Sequence, residues 1–209
     1  HTDGLSDFFS LSPDSNLIAS EKIFLPHYSL KTGKSRFIGL SDDSKYTIKK
    51  LNENQKKLFS KEYLLPQNAK IKVHGDIELN HHLEKASPLL FKNENCTEPD
   101  TMEDEIIVSI ETTKGLFLIT GCCHSGFINV CETIKKRTGK KIYGVLGGFH
   151  LEGVPKERLD ATRDYIKKTK IEKIYPCHCT GDEEIQWLEN ELPNIAKKAC
   201  VGFALDLEI

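Results

Sequence analysis

The chain has 209 residues, enough for one domain with a sizeable core or for two small ones. Charged residues make up 29% and the formal net charge is −2, so no basic surplus points to nucleic acid or to an anionic membrane. Apolar runs such as Leu116 to Ile119 stay far below the roughly 20 residues a membrane helix needs, the opening carries no basic-then-apolar leader, and a soluble, cytoplasmic protein is the expectation.

In chain order, "DGLSDFFSL" is expected to form a short helix and "NLIAS" a strand, with "SRFIGL" and "AKIKVHG" as further strands. Between them the charge run of "SDDSKYTIKKLNENQKKLFSKEY" reads as a solvated face or an insertion rather than a binding patch. Residues 76–104 show little periodicity, and a connection of that length is usually an active-site loop or a mobile segment. The stretch 41–104 is therefore expected to be an insertion or loop region within a single domain, 1–209.

The second half alternates regularly. "EIIVSIETTKGLFLITG" predicts two strands turning at "TKG". "SGFINVCETIKKRTG" predicts a helix with Phe127, Val130, Cys131 and Ile134 on one face and Gly139 closing it. "KIYGVLGG" is a strand, and "PKERLDATRDYIKKT" a helix with Pro155 in its first turn and Leu159, Thr162 and Ile166 sharing a face. "IEKIYP" is a strand, "GDEEIQWLENEL" a helix stopped by Pro193, and "VGFALDL" a final strand. Alternating strands and helices predict an α/β protein with helices covering a sheet.

Three histidines occupy equivalent places in this pattern: His124 follows "LFLIT", His150 follows "IYGVLGG" and His178 follows "KIYP". If the helices are crossovers, the strands run parallel and all three histidines reach the same sheet edge, where α/β active sites gather. One histidine after a strand is usually structural. Three at matching strand ends are hard to get by accident, and such a cluster commonly holds zinc, iron or manganese.

Seven cysteines, an odd number, read as reduced thiols rather than a disulfide framework. Neither "CHC" at 177–179 nor "CC" at 122–123 has the C-x-x-C spacing of zinc ribbons. Adjacent strand residues point to opposite faces, so both thiols of "CC" do not readily serve one ion. Cys131 falls on an apolar helix face. Packing is the expected role of most thiols, with a tetrathiolate or iron–sulfur site as the open alternative.

"TGCCHSG", "GGFHL" and "HCTG", in this order, resemble the later motifs of the metallo-β-lactamase superfamily. "DEIIVSIETTKGLFLITGCCHSGFINV" is similar to the branch named for 7,8-dihydropterin-6-methyl-4-(β-D-ribofuranosyl)aminobenzene 5′-phosphate synthase. "HYSLKTGKSRFIGL" and "KIKVHGDIE" resemble that branch more loosely, and "HTDGL" resembles the tail of the superfamily's HxHxDH signature. The resemblance implies an αββα sandwich that is N-terminally incomplete, the C-terminal two-thirds of the full fold. The first two histidines and the aspartate of HxHxDH would precede His1.

That pattern implies one metal on the first HxHxDH histidines together with His124. It implies a second on the aspartate together with His1 and His178. The position between them, usually a bridging aspartate, is filled by His150. A neutral imidazole has one free lone pair and cannot bridge, so His150 is expected as a terminal ligand or hydrogen-bond partner. One or two divalent ions are implied, zinc first, with iron and manganese as alternatives.

The implied activity is a metal-dependent hydrolase in which metal-activated hydroxide attacks a phosphoester or carbonyl. The substrate would be a small molecule, phosphorylated in the pterin-type reading, with no nucleic-acid or membrane partner; homo-oligomerisation is left open. Ser125 and Gly126, and Thr180 and Gly181, precede helices whose N–H groups suit a phosphate oxygen. Asp182, Glu183 and Glu184 weaken the second of these places. They repel anions and complement the helix dipole. His27, His74, His81 and His82 fall in loops or strand ends and are expected at the surface or lining the pocket. No catalytic side chain is singled out. The competing readings are a non-catalytic metal-binding or interaction domain and a thiol redox protein, the latter disfavoured because no C-x-x-C is present.

Overall fold

The computed structural model describes residues 4–209. In chain order the elements are α1 (Leu5–Leu11), β1 (Leu17–Ser20), β2 (Tyr28–Ser29), β3 (Arg36–Phe37), α2 (Asp42–Lys50), β4 (Lys56–Phe59), β5 (Glu62–Leu64) and β6 (Ile71–His74). They continue with β7 (Leu90–Phe91), β8 (Ile107–Thr112), β9 (Gly115–Ile119), α3 (Phe127–Thr138), β10 (Ile142–Gly147), α4 (Lys156–Thr169), β11 (Lys173–Pro176) and α5 (Asp182–Glu191). The described residues divide into two compact units, 4–61 with 86–104 and 62–85 with 105–209.

In the first unit β1 pairs parallel with β4, and β3, β2 and β7 form a small antiparallel sheet. The lysine-rich segment, expected as a solvated face or an insertion, is folded and presents a largely solvated helix face. It contains α2, capped by the Ser41 hydroxyl on the Ser44 N–H, with Asp42 and Asp43 at its N-terminus and Lys49 and Lys50 at its C-terminus. The same segment supplies β4 and, in the second unit, β5. Only Ser44 and Ile48 of α2 are buried, which explains why the pattern looked like an exposed charge run.

The second unit is built on a six-stranded sheet in the order β11-β10-β9-β8-β6-β5. Strands β5, β6, β8 and β9 are antiparallel neighbours, while β9, β10 and β11 are parallel. The parallel half follows from α3 and α4, which cross over between β9 and β10 and between β10 and β11. Side-chain alternation sorts the sheet's two faces. Leu116, Leu118, Val145 and Ile174 join Phe127, Ile134, Ile166 and Leu188 of the helices in the larger core. Phe117, Ile119, Tyr143 and Tyr175 face the other side, with Phe203 and Leu207 packed on them.

Two local expectations are corrected. Residues 201–207 form no strand. Phe203 and Leu207 are held by packing, and the Thr113 N–H donates to the Glu208 carbonyl at 2.9 Å without a ladder forming. Pro155 sits at the N-cap of α4 rather than within its first turn.

Residues 75–84, part of the aperiodic stretch, form an ordered strap along α3. The Arg137 guanidinium donates to the Gly75 carbonyl at 2.7 Å and to that of Asp76. The Thr133 hydroxyl accepts the Glu78 N–H at 3.1 Å, and the Asn129 side-chain carbonyl accepts those of Asn80 and His81 at 2.9 and 2.8 Å. Residues 129, 133 and 137 are four apart, so they line up on one helix face. The strap thus runs from the C-terminal end of α3 to its N-terminus.

Candidate metal centre

The loops after β9, β10 and β11 leave the same edge of the parallel half-sheet and carry His124, His150 and His178. Backbone ties join them. The Gly148 N–H donates to the Gly121 carbonyl at 2.9 Å, the Thr120 hydroxyl to the Gly148 carbonyl at 2.9 Å, and the Cys177 N–H to the Gly147 carbonyl at 3.0 Å. Cys123, His150 and His178 all have left-handed backbones, with φ of 61°, 49° and 52°. Non-glycine residues rarely adopt this region, and such strain collects at functional sites. Gly148 is required by space: a Cβ there would lie 2.6 Å from the Gly121 carbonyl oxygen and 2.7 Å from Cys179 Sγ.

The structure brings the His124 and His150 rings together, with centroids 4.4 Å apart. Both are half-buried, and His150 Nδ1 is buried with no hydrogen-bond partner. His178 is exposed and lies with Cys122 and Cys179, the three ligand atoms all within 4.8 Å of one another. His150 reaches Cys179, so the ring pair and the cysteine–histidine trio adjoin. Hydrogen bonding from the Cys179 thiol holds the Cys122 thiol below its ordinary range. The same hydrogen bond, aided by burial and opposed by His150, pushes Cys179 up. His1 lies outside the described residues.

Two carboxylates brace the loop ahead of α3. Glu105 accepts the His124 N–H at 2.6 Å and the Ser125 N–H at 3.0 Å. Glu84, at the end of the strap, accepts the N–H groups of Ile128 and Asn129 at 2.9 and 2.8 Å. The N–H groups of Ser125 and Gly126, the pair expected to receive a phosphate oxygen, are engaged by the protein's own acceptors, Ser125 donating to Glu105 and Gly126 donating to the Cys123 carbonyl at 3.0 Å. At the other loop Thr180 is buried: its hydroxyl accepts the Phe149 N–H at 3.0 Å and donates to the Cys177 carbonyl at 2.7 Å. Gly181, with φ of 87°, turns the chain into α5.

Sequence reasoning placed the thiols mostly in packing. That describes Cys123 and Cys131, both fully buried in the larger core, where burial pushes their thiols well up. It misses Cys122 and Cys179. Strand alternation could not sort these thiols, because Cys122 and Cys123 lie in the loop past the end of β9 and Cys123 has a left-handed backbone. Also missed were Glu84, Glu105 and Arg158. Arg158, only 9% exposed, has Nε and Nη2 without hydrogen-bond partners, and its charge acts on Glu84 and on His81. Nothing in the helical pattern distinguished it from a surface arginine. His27 and His74 are buried, not at the surface. His81 is half-buried and His82 exposed, their rings 5.1 Å apart.

No family model matches the chain. It is 33% identical over 185 residues to an uncharacterised protein of Methanocaldococcus jannaschii, MJ0448, covering 87% of this chain and 65% of that one. It is 42% identical over 83 residues to the 7,8-dihydropterin-6-methyl-4-(beta-D-ribofuranosyl)-aminobenzene-5'-phosphate synthase of the same organism, covering 39% of this chain and 28% of the synthase. The chain thus spans 28% and 65% of the lengths of these curated relatives. The crystal structure of Tm1679, described as a metal-dependent hydrolase of the beta-lactamase superfamily, superposes with a TM-score of 0.77 at 21% identity. That match covers 93% of this chain and 73% of Tm1679. The chain has a mixed α/β fold of the metallo-β-lactamase type.

Proposed function

We propose that this chain belongs to a metal-dependent hydrolase of the metallo-β-lactamase superfamily. His124, His150 and His178 would hold one or two divalent ions, joined by His1 through the sequence resemblance. The reading is carried by the parallel edge β9-β10-β11, which delivers three histidines from three loops and packs the His124 and His150 rings at 4.4 Å. The donor set fits: half-buried imidazoles with an unpartnered buried nitrogen on His150 suit a borderline ion such as zinc, with iron or manganese as alternatives.

A divalent ion supplies Lewis-acid polarisation of the scissile bond and acidifies water. The chain's own contribution is positioning. Glu105 fixes the backbone of His124 and Ser125, Thr180 ties the β10 and β11 loops, and His150 and His178 hold left-handed backbones in those loops. The substrate class is a small phosphoester or carbonyl compound in the cytoplasm. A pterin-linked phosphate substrate is supported by the synthase similarity and by nothing at Ser125 or Gly126. The test is metal analysis of the purified protein with a panel of chromogenic phosphodiester and thioester substrates. Bound metal and turnover, both lost in His124→Ala and His150→Ala, are expected. Metal that binds without turnover on any substrate would favour a non-catalytic metal-binding domain, and a protein that takes up no metal would overturn the reading.

A further inference from the structure

We propose that Cys122 and Cys179, together with His178, form a mixed thiolate–imidazole position for a thiophilic divalent ion. The centre would then select zinc, cobalt(II) or iron(II) over magnesium and manganese. The proposal rests on the metal-centre part of the hydrolase reading and adds two ligands that the histidine pattern does not contain.

Three observations sort these two thiols from the other five. Cys123 and Cys131 are fully buried among apolar side chains, and Cys177 packs beside Phe117 and Tyr175 on the sheet's other face. Cys96 belongs to the first unit, where its thiol bonds to the Ser35 hydroxyl, and Cys200 is exposed. Cys122 and Cys179 are half-buried, and among the described residues they are the thiols whose Sγ atoms gather with a histidine, all three ligand atoms lying inside 4.8 Å. That spacing needs little adjustment to close on one ion, since metal–sulfur and metal–nitrogen bonds of about 2.3 and 2.0 Å put ligand atoms about 3.5–4 Å apart.

The backbone is shaped for this approach. Only a residue without a Cβ at 148 leaves room for Cys179 Sγ beside the Cys122 backbone, and a left-handed His178 lets the imidazole and the next thiol serve one centre. His150, within reach of Cys179, would stand as its outer hydrogen-bond partner. Thiolates are soft donors, which is why the set discriminates against magnesium and manganese. Binding converts two thiols to thiolates and releases two protons to solvent, with no redox change.

The experiment uses the intact protein under reducing, anaerobic conditions. Zinc loading is expected to protect Cys122 and Cys179 from alkylation, read peptide by peptide by mass spectrometry, while Cys200 stays reactive. Cobalt(II) loading is expected to give a near-ultraviolet sulfur-to-cobalt absorption band that Cys122→Ser and Cys179→Ser each weaken and Cys200→Ser leaves intact. Each serine variant should bind zinc at least about 10-fold more weakly. Protection of the unmutated chain decides the matter if a serine variant does not fold. A metal-loaded protein with no sulfur–cobalt band and no protection overturns this inference while leaving the histidine centre standing. A protein that binds no metal overturns both. A Cys122–Cys179 disulfide that persists in the zinc-loaded protein would also overturn it.

Discussion

Glu84 lies directly over Gly126, its carboxylate filling the space a Cβ at that glycine would need. Gly126 has φ of 97°, outside the range L residues hold comfortably, and serves as the N-cap of α3 without a capping side chain. The missing cap comes from the strap, through Glu84 on Ile128 and Asn129. Burial pushes the Glu84 carboxyl up, while the two N–H groups and Arg158 oppose this. Gly126→Ala is expected to cost about 2–4 kcal/mol by combining backbone strain with displacement of the cap. Urea denaturation checks it. A loss below half a kcal/mol would mean that Glu84 is not held where the structure puts it.

The strap itself depends on Asn129. Its carbonyl accepts two N–H groups, and its amide donates to the Ser125 carbonyl at 2.8 Å. Asn129→Ala leaves two part-buried donors and the buried Ser125 carbonyl without this partner, at a cost of about 1–3 kcal/mol. Hydrogen exchange over residues 80–84 should quicken far more than exchange in β9. Uniform quickening across both would instead indicate global destabilisation.

Much of the second unit was legible because its strands are buried on both faces and its helices carry single apolar stripes. The parallel order of β9, β10 and β11 followed from the crossovers alone, and with it the edge that carries His124, His150 and His178. Less legible were features that depend on contacts distant in sequence. Asn129, Thr133 and Arg137 form a polar row beside the apolar stripe of α3, and nothing in that row says that residues 75–84 cover it. Likewise "CC" lies in a loop where strand alternation does not operate, and the meeting of Cys122 with Cys179 depends on Gly148, in a third loop. In the first unit two- to four-residue strands give too few alternations to read.

His27 sets a pH dependence on the first unit. It is 4% exposed, with Nδ1 2.5 Å from Asp100 and Nε2 3.3 Å from Asp104. Burial alone would lower its pKa, but the hydrogen bonds and charges of the two aspartates outweigh it and raise the imidazole to about 9. A raised folded-state pKa contributes stability that is complete below the unfolded value near 6.5 and disappears as pH climbs through 9. Stability should fall by on the order of 3 kcal/mol over that window. His27→Gln should be less stable at pH 6 and should flatten the slope between pH 6.5 and 9. A slope unchanged in that variant would place the titration elsewhere.

Glu105 is expected to govern how well His124 is presented. Its two oxygens accept consecutive N–H groups, those of His124 and Ser125, in the loop that carries the β9 strand into α3. Glu105→Gln keeps one accepting oxygen and replaces the other with an amide nitrogen, which cannot accept. One of the two charge-assisted bonds is therefore lost and the loop is held at a single point. If His124 holds an ion, that loosening should weaken metal affinity by about 10-fold, because the ring's direction is set by the backbone that Glu105 fixes. Loss of one half-exposed hydrogen bond should cost only about 1–2 kcal/mol of stability, so melting in metal-free buffer should move little. Metal titration of both proteins, read alongside the His124 and Ser125 amide resonances, separates the two effects. Shifted amides with unchanged metal affinity would show that Glu105 braces the loop without positioning a ligand.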